Sequence, residues 1–352
     1  MGVDELQVLS VDNLSIPEAR RAYQVLGFIA HAYIWSENLD RLPDSISMPW
    51  IQVSKFLGLP PIATYASLCL WNYKQIIPND DMSFNNLTTI NTFTGSIDES
   101  WFYLVSVYFE KQGAVSIETG LEIIKQIKQD NKSLVIELLQ QLAESIDVLG
   151  SILMRMEENC DPHVFYYRLR PYLAGWKNMQ DIGLKGVYYG NELKNYAGGS
   201  NAQSSLIQFL DILLGIQHNQ GFIQEMREYM PGKHREFLIW LEQETNIKDY
   251  INKNPDIELY YDACLAMLKS FRDKHIQITT RYIILQKNKN LGSSSTIRSG
   301  LSKKNVEVGT GGTSLLPFLK QCRDDTGSSA AGQWGKKILS QGVLRLKKAD
   351  EE

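Results

Sequence analysis

A single histidine lies within an apolar helical stripe in the last third of the chain. Between Leu259 and Leu285 apolar residues recur at steps of three or four, and the stripe contains no acidic residue that could pair with His275. Two interpretations are open: a core histidine with a hydrogen-bond partner, or a neutral imidazole that ligates the iron of a flat, apolar haem. Arg272, one turn earlier, could reach a haem propionate with its planar fork. The stripe comprises Leu259, Ala263, Met267, Phe271, His275, Ile278, Tyr282 and Leu285.

Three other polar side chains stand in apolar surroundings and could contact a ligand. Arg168 and Arg170 lie among aromatic residues that begin at Phe165, and a buried guanidinium there needs an anion. That anion is either a structural carboxylate or the carboxylate of a substrate, which the fork geometry suits. Ser106 is a hydroxyl in an apolar helical turn. It either bonds back to its own helix carbonyl or faces a ligand cavity.

Two glycine-containing loops could border such a cavity. Gly198, Gly199 and Ser200 precede a helical segment, where glycine allows close backbone approach to a ligand and free N–H groups could bind an anion. No strand precedes them, so the pattern is not a dinucleotide fingerprint. The stretch 287–308 is polar and leads into a glycine-rich segment, 309–313. We predict a mobile loop over about 287–312, which is either a lid over a pocket or a linker that ends in a helix cap.

The composition excludes several classes of protein. A chain of 352 residues, 43% of them hydrophobic, can bury a large core, and its net charge of −4 predicts no nucleic-acid partner. Four well-separated cysteines with no CxxC pair predict no disulfide framework. Because the chain shows neither a signal-like N-terminus nor a long apolar run, we expect a cytoplasmic protein with no membrane partner. A solvated basic tail is predicted from Lys336, Lys337, Arg345, Lys347 and Lys348.

The hydrophobic pattern predicts an all-α fold. Ser15 and Glu18 form a capping box that begins a helix running to about Trp35. The clearest helix spans about 130–157, and Asp161-Pro162 opens another that Pro171 should kink. Only the segment 87–93 has a fair strand pattern. The predicted apolar stripes are Ala22, Leu26, Ile29 and Tyr33 in the first helix, and Val135, Leu138, Leu139, Leu142, Ile146, Leu149, Leu153 and Met156 in the clearest one.

Together these segments resemble the indoleamine 2,3-dioxygenase family of haem enzymes, in the family's order and over nearly the whole chain. The resemblance implies a small irregular helical domain, residues 1–92, that forms the distal pocket wall, and a large helical bundle domain, residues 93–352, that holds haem b. The matching segments are 58–62 with Tyr65, 102–106, 165–170, 173–177, 198–200 with 203–205, 229–231, His275 and 309–313.

The resemblance also implies roles for individual residues. His275 takes the position of the proximal iron ligand, Arg272 and Ser200 lie near the haem propionates, and Ser106 is the distal-pocket serine. Phe165 packs on the indole, Arg170 binds the substrate carboxylate, and Thr310 is the lid threonine. The implied catalytic residues are Ser106, Phe165 and Arg170, and the implied substrate-binding residues are Tyr65, Phe102, Phe165, Arg170, Gly199, Asn201 and Thr310.

The activity that the resemblance implies is insertion of both atoms of O2 across the C2–C3 bond of the indole of L-tryptophan. The product would be N-formylkynurenine, at the first step of the kynurenine pathway. Ferrous haem b, an electron donor that reduces the iron, and a monomeric protein are implied as well. Asn201 and Ala202 stand where the family commonly has an alanine and a glycine, so another indole or tryptophan derivative is an alternative substrate.

Two non-catalytic alternatives remain at this point. One is a haem-binding sensor on the same fold, although a sensor would not need the amino-acid clamp of Phe165, Arg170 and Thr310. The other is an all-α scaffold without a cofactor, in which His275 would be a core residue.

Overall fold

The computed structural model describes residues 6–218, 221–288, 309–310 and 314–341. Parts of three sequence predictions lie outside these residues. They are most of the loop predicted at 287–312, the 311–313 end of the glycine-rich segment, and the basic residues Arg345, Lys347 and Lys348.

Helices dominate the described part of the chain, which confirms the predicted all-α class. None of the helices in these ranges is both long enough and apolar enough to cross a membrane. The α-helices are α1 (Ile16–Glu37), α2 (Asp44–Leu57), α3 (Ile97–Lys128), α4 (Lys132–Met154), α5 (Met156–Asn159), α6 (Pro162–Val164), α7 (Arg170–Leu173), α8 (Ser205–Leu213), α9 (Gly221–Arg227), α10 (Gly232–Glu244), α11 (Ile247–Lys253), α12 (Glu258–Thr279), α13 (Leu285–Asn288), α14 (Leu315–Ser328) and α15 (Gln333–Gln341).

Helices of other types connect several of these elements. Three π-helical segments span Ala66–Leu70, Phe165–Leu169 and Thr280–Ile284. A π-helix is wider than an α-helix by about one residue per turn and is frequent at functional sites. Short 3-10 helices span Phe84–Asn86, Trp176–Ile182, Asn201–Gln203 and Pro255–Ile257.

The strands are short and form two small sheets. In the first, β1 (Arg41–Leu42) pairs in parallel with β4 (Val187–Tyr189), which pairs antiparallel with β5 (Glu192–Lys194). In the second, β2 (Tyr73–Gln75) pairs antiparallel with β3 (Leu87–Thr89). β3 lies within the one segment predicted as a strand. The others were not predicted, because two or three residues are too few to show an alternating pattern.

The N-terminal helix begins as predicted but buries a different face. Ser15 and Glu18 form the capping box, with the Ser15 backbone N–H 2.8 Å from the Glu18 carboxylate. Of the predicted stripe, Ile29 is wrong because it is 45% exposed, and Ala22, Leu26 and Tyr33 are only partly buried at the edge of a core. The buried face instead includes the polar residues Gln24 and His31. Gln24 donates to Asn72 over 2.6 Å, and His31 bonds to the Tyr172 carbonyl, so tertiary partners make their burial possible.

The larger core places two long helices on either side of a third. The predicted stripe of α4 is confirmed as core from Val135 to Leu149, with Val135, Leu139, Leu142 and Ile146 fully buried. Its last two residues, Leu153 and Met156, line cavities instead. Both α3 and α12 pack against α4 in this core, and the Cys264 thiol of α12 donates to the Leu139 carbonyl. α4 therefore fixes the spacing between the two helices that carry Ser106 and His275.

The apolar stripe predicted on α12 forms a cavity wall in its middle and lies at the edge of the core face. α12 buries Tyr261, Cys264, Leu265 and Leu268 completely. The stripe residues Ala263, Met267 and Phe271 are partly buried and pack against this core. The predicted stripe lies on the neighbouring face of α12. Its two end residues are exposed, Leu259 at 63% and Leu285 at 49%.

A second core joins residues from both sides of the predicted domain boundary. Tyr23, Trp35 and Trp50 pack with Trp176 and Tyr189. The Trp35 indole donates to the Ala174 carbonyl over 2.9 Å. The division at residue 92 stays a prediction.

Candidate active site

One helical segment changes type at the edge of a cavity and thereby positions two predicted site residues. Asp161 caps α6 by accepting hydrogen bonds from the N–H groups of His163 and Val164, over 2.8 and 3.1 Å. The chain then widens into the π-helix Phe165–Leu169, and α7 begins at Arg170 with Pro171 in its first turn. Proline crowds the preceding turn and has no N–H for its ladder, so the regular helix cannot continue through it. Phe165 and Arg170 consequently line the same cavity.

Two adjoining cavities lie between α3, α12, α14 and the loop around Gly199. All eleven residues predicted for the site line one or both of them. Ser106, Asn201 and His275 border both cavities; Tyr65 and Arg272 border one; and Phe102, Phe165, Arg170, Gly199, Ser200 and Thr310 border the other. The structure therefore brings together residues that are up to 245 positions apart in the chain, from Tyr65 to Thr310.

His275 presents a neutral imidazole to both cavities. Burial and then the positive charge of Arg272 lower the pKa of His275 to about 4. The imidazole has no hydrogen-bond partner among the described residues, and its side chain is only half-buried because it faces the cavity. A satisfied core histidine would have such a partner. The geometry thus favours the second interpretation of His275, a ligand imidazole in its neutral form.

A charge cluster lies behind the cavity wall that carries His275. We use this name for Asp211, His218, Arg272 and Asp325. Arg272 donates to Oδ1 of Asp211, while His218 contacts Oδ2 of Asp211 over 3.1 Å and Oδ2 of Asp325 over 2.9 Å. These contacts connect α8, α12 and α14 through four buried or nearly buried charges.

The pKa shifts in the charge cluster follow from this pairing. Burial alone would raise the pKa of Asp211, but the charge of Arg272 and the contacts with His218 bring it below its ordinary value. Burial would lower the pKa of His218, whereas hydrogen bonds with Asp211 and Cys322 raise it to about 10. At neutral pH the cluster therefore holds two positive and two negative charges.

The opposite wall of the cavities carries hydroxyl groups. We call Tyr65, Ser106, Ser204 and Glu110 the hydroxyl wall. Tyr65 donates to Oε1 of Glu110 over 2.9 Å, and Ser204 donates to the same oxygen over 2.6 Å. Ser106 lies near enough to the Tyr65 hydroxyl and the Cys69 thiol to lower the pKa of both, although burial leaves both pKa values well above the ordinary ones. Ser106 makes no bond to its own helix carbonyl among the described residues, so it faces a cavity.

The two arginines of the aromatic segment point in different directions. Arg168 is exposed and lines neither cavity. Arg170 is buried, its guanidinium lies 5.2 Å from the centre of the Tyr166 ring, and burial lowers its pKa to about 10. The Phe165 ring beside it packs at 5.0 Å from Phe102. Of the two candidates, only Arg170 can present a cation to a ligand in the cavity.

The glycine loop is needed for contacts of the chain with itself. A Cβ on Gly198 would lie 2.3 Å from the Leu173 carbonyl oxygen, and one on Gly199 would lie 2.4 Å from the Leu68 side chain. The missing side chains of Gly198 and Gly199 thus allow close contacts within the protein, and the approach of Gly199 to a ligand stays a prediction, since this residue lines a cavity. Thr310 donates to the Gly199 carbonyl over 2.7 Å, and the Gly198 N–H donates to the Thr310 carbonyl over 3.1 Å.

The sequence analysis did not identify three polar residues that support this site. They are Glu110, His218 and Asp325. A usable signal was present for one of their partners: Asp211 lies within the run from Leu206 to Leu213, in which Gln208 is the one other polar residue, and a carboxylate on a buried face requires a cation. Glu110 follows Ser106 by one helical turn, but an acid at that spacing on a long helix is too common to indicate a site.

The residues present fit a haem. Apolar side chains such as Leu153, Ile207, Phe271 and Leu319 line the cavity around one neutral imidazole, which is what a flat apolar macrocycle requires. The Nε of Arg272 is buried and without a partner among the described residues, although the other end of the guanidinium is paired with Asp211. An unsatisfied N–H of this kind, on a residue that lines the cavity, suits a propionate oxygen.

Comparisons with known proteins give one consistent result. A model of the family described as indoleamine 2,3-dioxygenase matches residues 1–329. An indoleamine 2,3-dioxygenase of Saccharomyces cerevisiae is 46% identical, over 93% of this chain and 82% of that protein. The 6-hydroxytryptophan 2,3-dioxygenase fscD of Fusarium equiseti is 38% identical, over 88% and 80%. Indoleamine 2,3-dioxygenase 1 of Mus musculus is 34% identical, over 92% and 83%.

Proposed function

The chain belongs to the indoleamine 2,3-dioxygenase family, and on that premise we propose that it is a haem-dependent dioxygenase that acts on L-tryptophan. It inserts both atoms of O2 across the C2–C3 bond of the indole and forms N-formylkynurenine. The observation that carries the proposal is the convergence of His275, Ser106, Phe165 and Arg170 on two adjoining cavities.

His275 and Arg272 would hold the cofactor, which we propose to be haem b with ferrous iron. The neutral imidazole of His275 would ligate the iron, and the free Nε of Arg272 would bond a propionate, with Ser200 near the same group. Bound haem supplies the activation of O2, and the protein contributes binding, orientation and exclusion of water.

The remaining residues would bind and orient the substrate. Arg170 would fix the carboxylate, because a buried guanidinium gains from an anion and its fork matches a carboxylate. Phe165, Phe102 and the Tyr65 ring would contact the indole, and Asn201 would border its edge. Thr310, bonded to Gly199, would close the cavity against water.

No distal base is required by this chemistry. Among the described residues that line the two cavities, His275 is the only histidine. Ser106 supplies a hydroxyl that can accept or donate a hydrogen bond, Tyr65 supplies one that can accept, and both are weak bases. This suits a reaction in which orientation of the indole, and not removal of a proton by an imidazole, is what the protein provides.

We further propose that the enzyme acts as a monomer in the cytoplasm and receives its electron from a separate donor that reduces the iron. A related indole is the second candidate substrate. Asn201 borders both cavities, and one relative is a 6-hydroxytryptophan 2,3-dioxygenase.

The test is a turnover assay with isotopically labelled O2. The purified chain is loaded with haem, reduced and supplied with L-tryptophan, and the product is analysed by mass. We expect N-formylkynurenine that contains two labelled oxygens. A haem spectrum that responds to indoles without any product from L-tryptophan would transfer the proposal to another indole, and a chain that binds no haem would refute it.

A further inference from the structure

Glu110 stands at the meeting point of three segments that surround the cavities. It lies on α3, one turn beyond Ser106. Its Oε1 accepts the hydroxyl of Tyr65, which directly precedes the π-helix Ala66–Leu70, and the hydroxyl of Ser204, which caps α8. A parallel contact strengthens the junction, because the Tyr65 N–H donates to the Gln203 side chain over 2.9 Å.

The carboxyl group has an unusual set of neighbours. It is partly buried, forms no ion pair within the described residues, and has only hydroxyl donors around it. Burial raises its pKa, and the bonds from Ser204 and Tyr65 oppose that rise. Removal of an isolated carboxylate from water is costly, so a role of Glu110 other than charge pairing is expected.

The contacts determine where two hydroxyl protons point. Tyr65 and Ser204 both line the cavity, whereas Glu110 does not. Each hydroxyl has a single proton, and in this structure each proton is directed at Glu110. The Tyr65 and Ser204 hydroxyls can therefore accept a hydrogen bond from a ligand but not donate one. Ser106 is the hydroxyl of the hydroxyl wall whose proton Glu110 does not hold.

We propose that Glu110 is a positioning residue that sets the choice of indole. By holding the Tyr65 and Ser204 hydroxyls, it keeps the wall apolar towards plain indole and withholds a donor from ring-hydroxylated indoles. The inference rests on the proposed function, since it concerns which substrate that site prefers.

The first experiment compares substrates across variants of the haem-loaded chain. The ratio of kcat/KM for 5- or 6-hydroxytryptophan to that for L-tryptophan is measured in wild type, Glu110→Gln and Glu110→Leu. Leucine removes the acceptor and frees the Tyr65 proton, so we expect the ratio to rise by about tenfold, the effect of one hydrogen bond. Glutamine retains an acceptor oxygen and should stay within about twofold of wild type. Glu118→Gln, on the exposed face of α3, is the matched control and should change nothing.

A second variant identifies the group responsible. Adding Tyr65→Phe to Glu110→Leu removes the released hydroxyl and should abolish most of the gain. An unchanged ratio in Glu110→Leu, or a gain that persists without the Tyr65 hydroxyl, would overturn the proposal. Because the wild-type rate on L-tryptophan is measured in the same series, failure of this inference is separable from failure of the dioxygenase activity.

A third measurement does not depend on turnover. Urea unfolding of the full chain, with and without haem, gives a double-mutant cycle for Tyr65→Phe and Glu110→Gln. We expect the two substitutions to be coupled by about three- to tenfold in the unfolding equilibrium constant. Additive effects would contradict a stabilising hydrogen bond between Tyr65 and Glu110, on which the inference depends. This test remains decisive even if Glu110→Leu does not fold.

Discussion

The two sides of the candidate site use opposite kinds of polar chemistry. In the hydroxyl wall, the Tyr65 and Ser204 hydroxyls donate to one carboxyl oxygen of Glu110, and no cation pairs with that carboxyl group among the described residues. In the charge cluster behind His275, Arg272 and His218 directly contact the carboxyl groups of Asp211 and Asp325. Only the second side therefore pairs cations with anions.

The difference follows from what each side contacts. An indole is almost entirely apolar, so a wall of aromatic rings with their hydroxyls turned away is compatible with it. The helix that carries His275 must instead be held in one orientation, and paired charges of fixed geometry can hold it. Removal of one charge of such a buried pair then costs much stability. Five substitutions test this contrast, from the largest expected effect to the smallest.

His275→Ala removes the imidazole that lies between the hydroxyl wall and the charge cluster. We expect the variant to lose haem retention, turnover or both, because no other imidazole borders the cavities in the described residues. The ratio of haem absorbance to protein, together with turnover, measures the effect. His163→Ala, at an exposed histidine of α6, is the control. Normal haem loading and normal turnover in His275→Ala would remove it from the ligand role.

Asp211→Ala should be the most damaging change in the charge cluster. It leaves Arg272 and His218 buried without their shared carboxylate, and loss of one member of a buried pair costs about 3–5 kcal/mol. Denaturant unfolding measures the free energy. Asp147→Ala is the surface comparison. Asp147 of α4 pairs with Lys274 of α12 at 3.5 Å and is mostly exposed. That pair should contribute less than about 1 kcal/mol.

Arg170→Ala tests the buried cation on the substrate side. The variant should bind L-tryptophan weakly and raise KM by about 10- to 100-fold, because a hydrogen-bonded charge contributes about 1.5–3 kcal/mol. Indole derivatives that lack the carboxylate should be affected far less. Arg168→Ala, two residues earlier and exposed, serves as the control. Unchanged steady-state kinetics in Arg170→Ala would remove Arg170 from the substrate site.

His218→Gln tests whether the contribution of the charge cluster to stability depends on pH. The pKa of His218 is raised from 6.5 to about 10 in the folded protein. The stabilisation from its proton is therefore complete below pH 6.5 and is lost as the pH rises through 10. The difference in unfolding free energy between wild type and His218→Gln should shrink over that range. A constant difference from pH 6 to 10 would mean that His218 is not charged between its two aspartates.

Ser106→Ala should have the smallest effect of the five substitutions on stability and turnover, because it removes a neutral group. Removal of one hydroxyl from the hydroxyl wall leaves no buried charge, and its cost in stability should be below about 1.5 kcal/mol. Turnover should fall by no more than about tenfold. A loss as large as that of Asp211→Ala would erase the distinction between the two sides.

Strong local patterns made much of the fold predictable. The capping box of α1 and the continuous stripe of α4 depend on residues within a few positions of one another, and both are confirmed. The eleven site residues were predicted from a resemblance in which many short segments appear in the family's order, and the structure places all of them at the two cavities. Their roles stay predictions.

The parts that could not be predicted depend on distant pairings. Glu110 meets Tyr65 and Ser204 across 45 and 94 positions, and His218 meets Asp325 across 107. No periodicity links such residues, because they belong to different elements. The face of α1 was wrong for a related reason: Gln24 and His31 are buried against remote partners, and their polarity hid the true stripe.

The three π-helical segments have a consequence for how this chain can vary. Each expanded turn lies beside cavity-lining residues: Tyr65 before Ala66–Leu70, Phe165 in Phe165–Leu169, and Tyr282 in Thr280–Ile284. Such a turn is equivalent to one amino acid inserted into an α-helix. Between α12 and α13, deletion of a single codon within Thr280–Ile284 would restore a regular helix and turn α13 by about 100° relative to α12. A segment that shapes the pocket is thus also one where the smallest in-frame deletion would disrupt it.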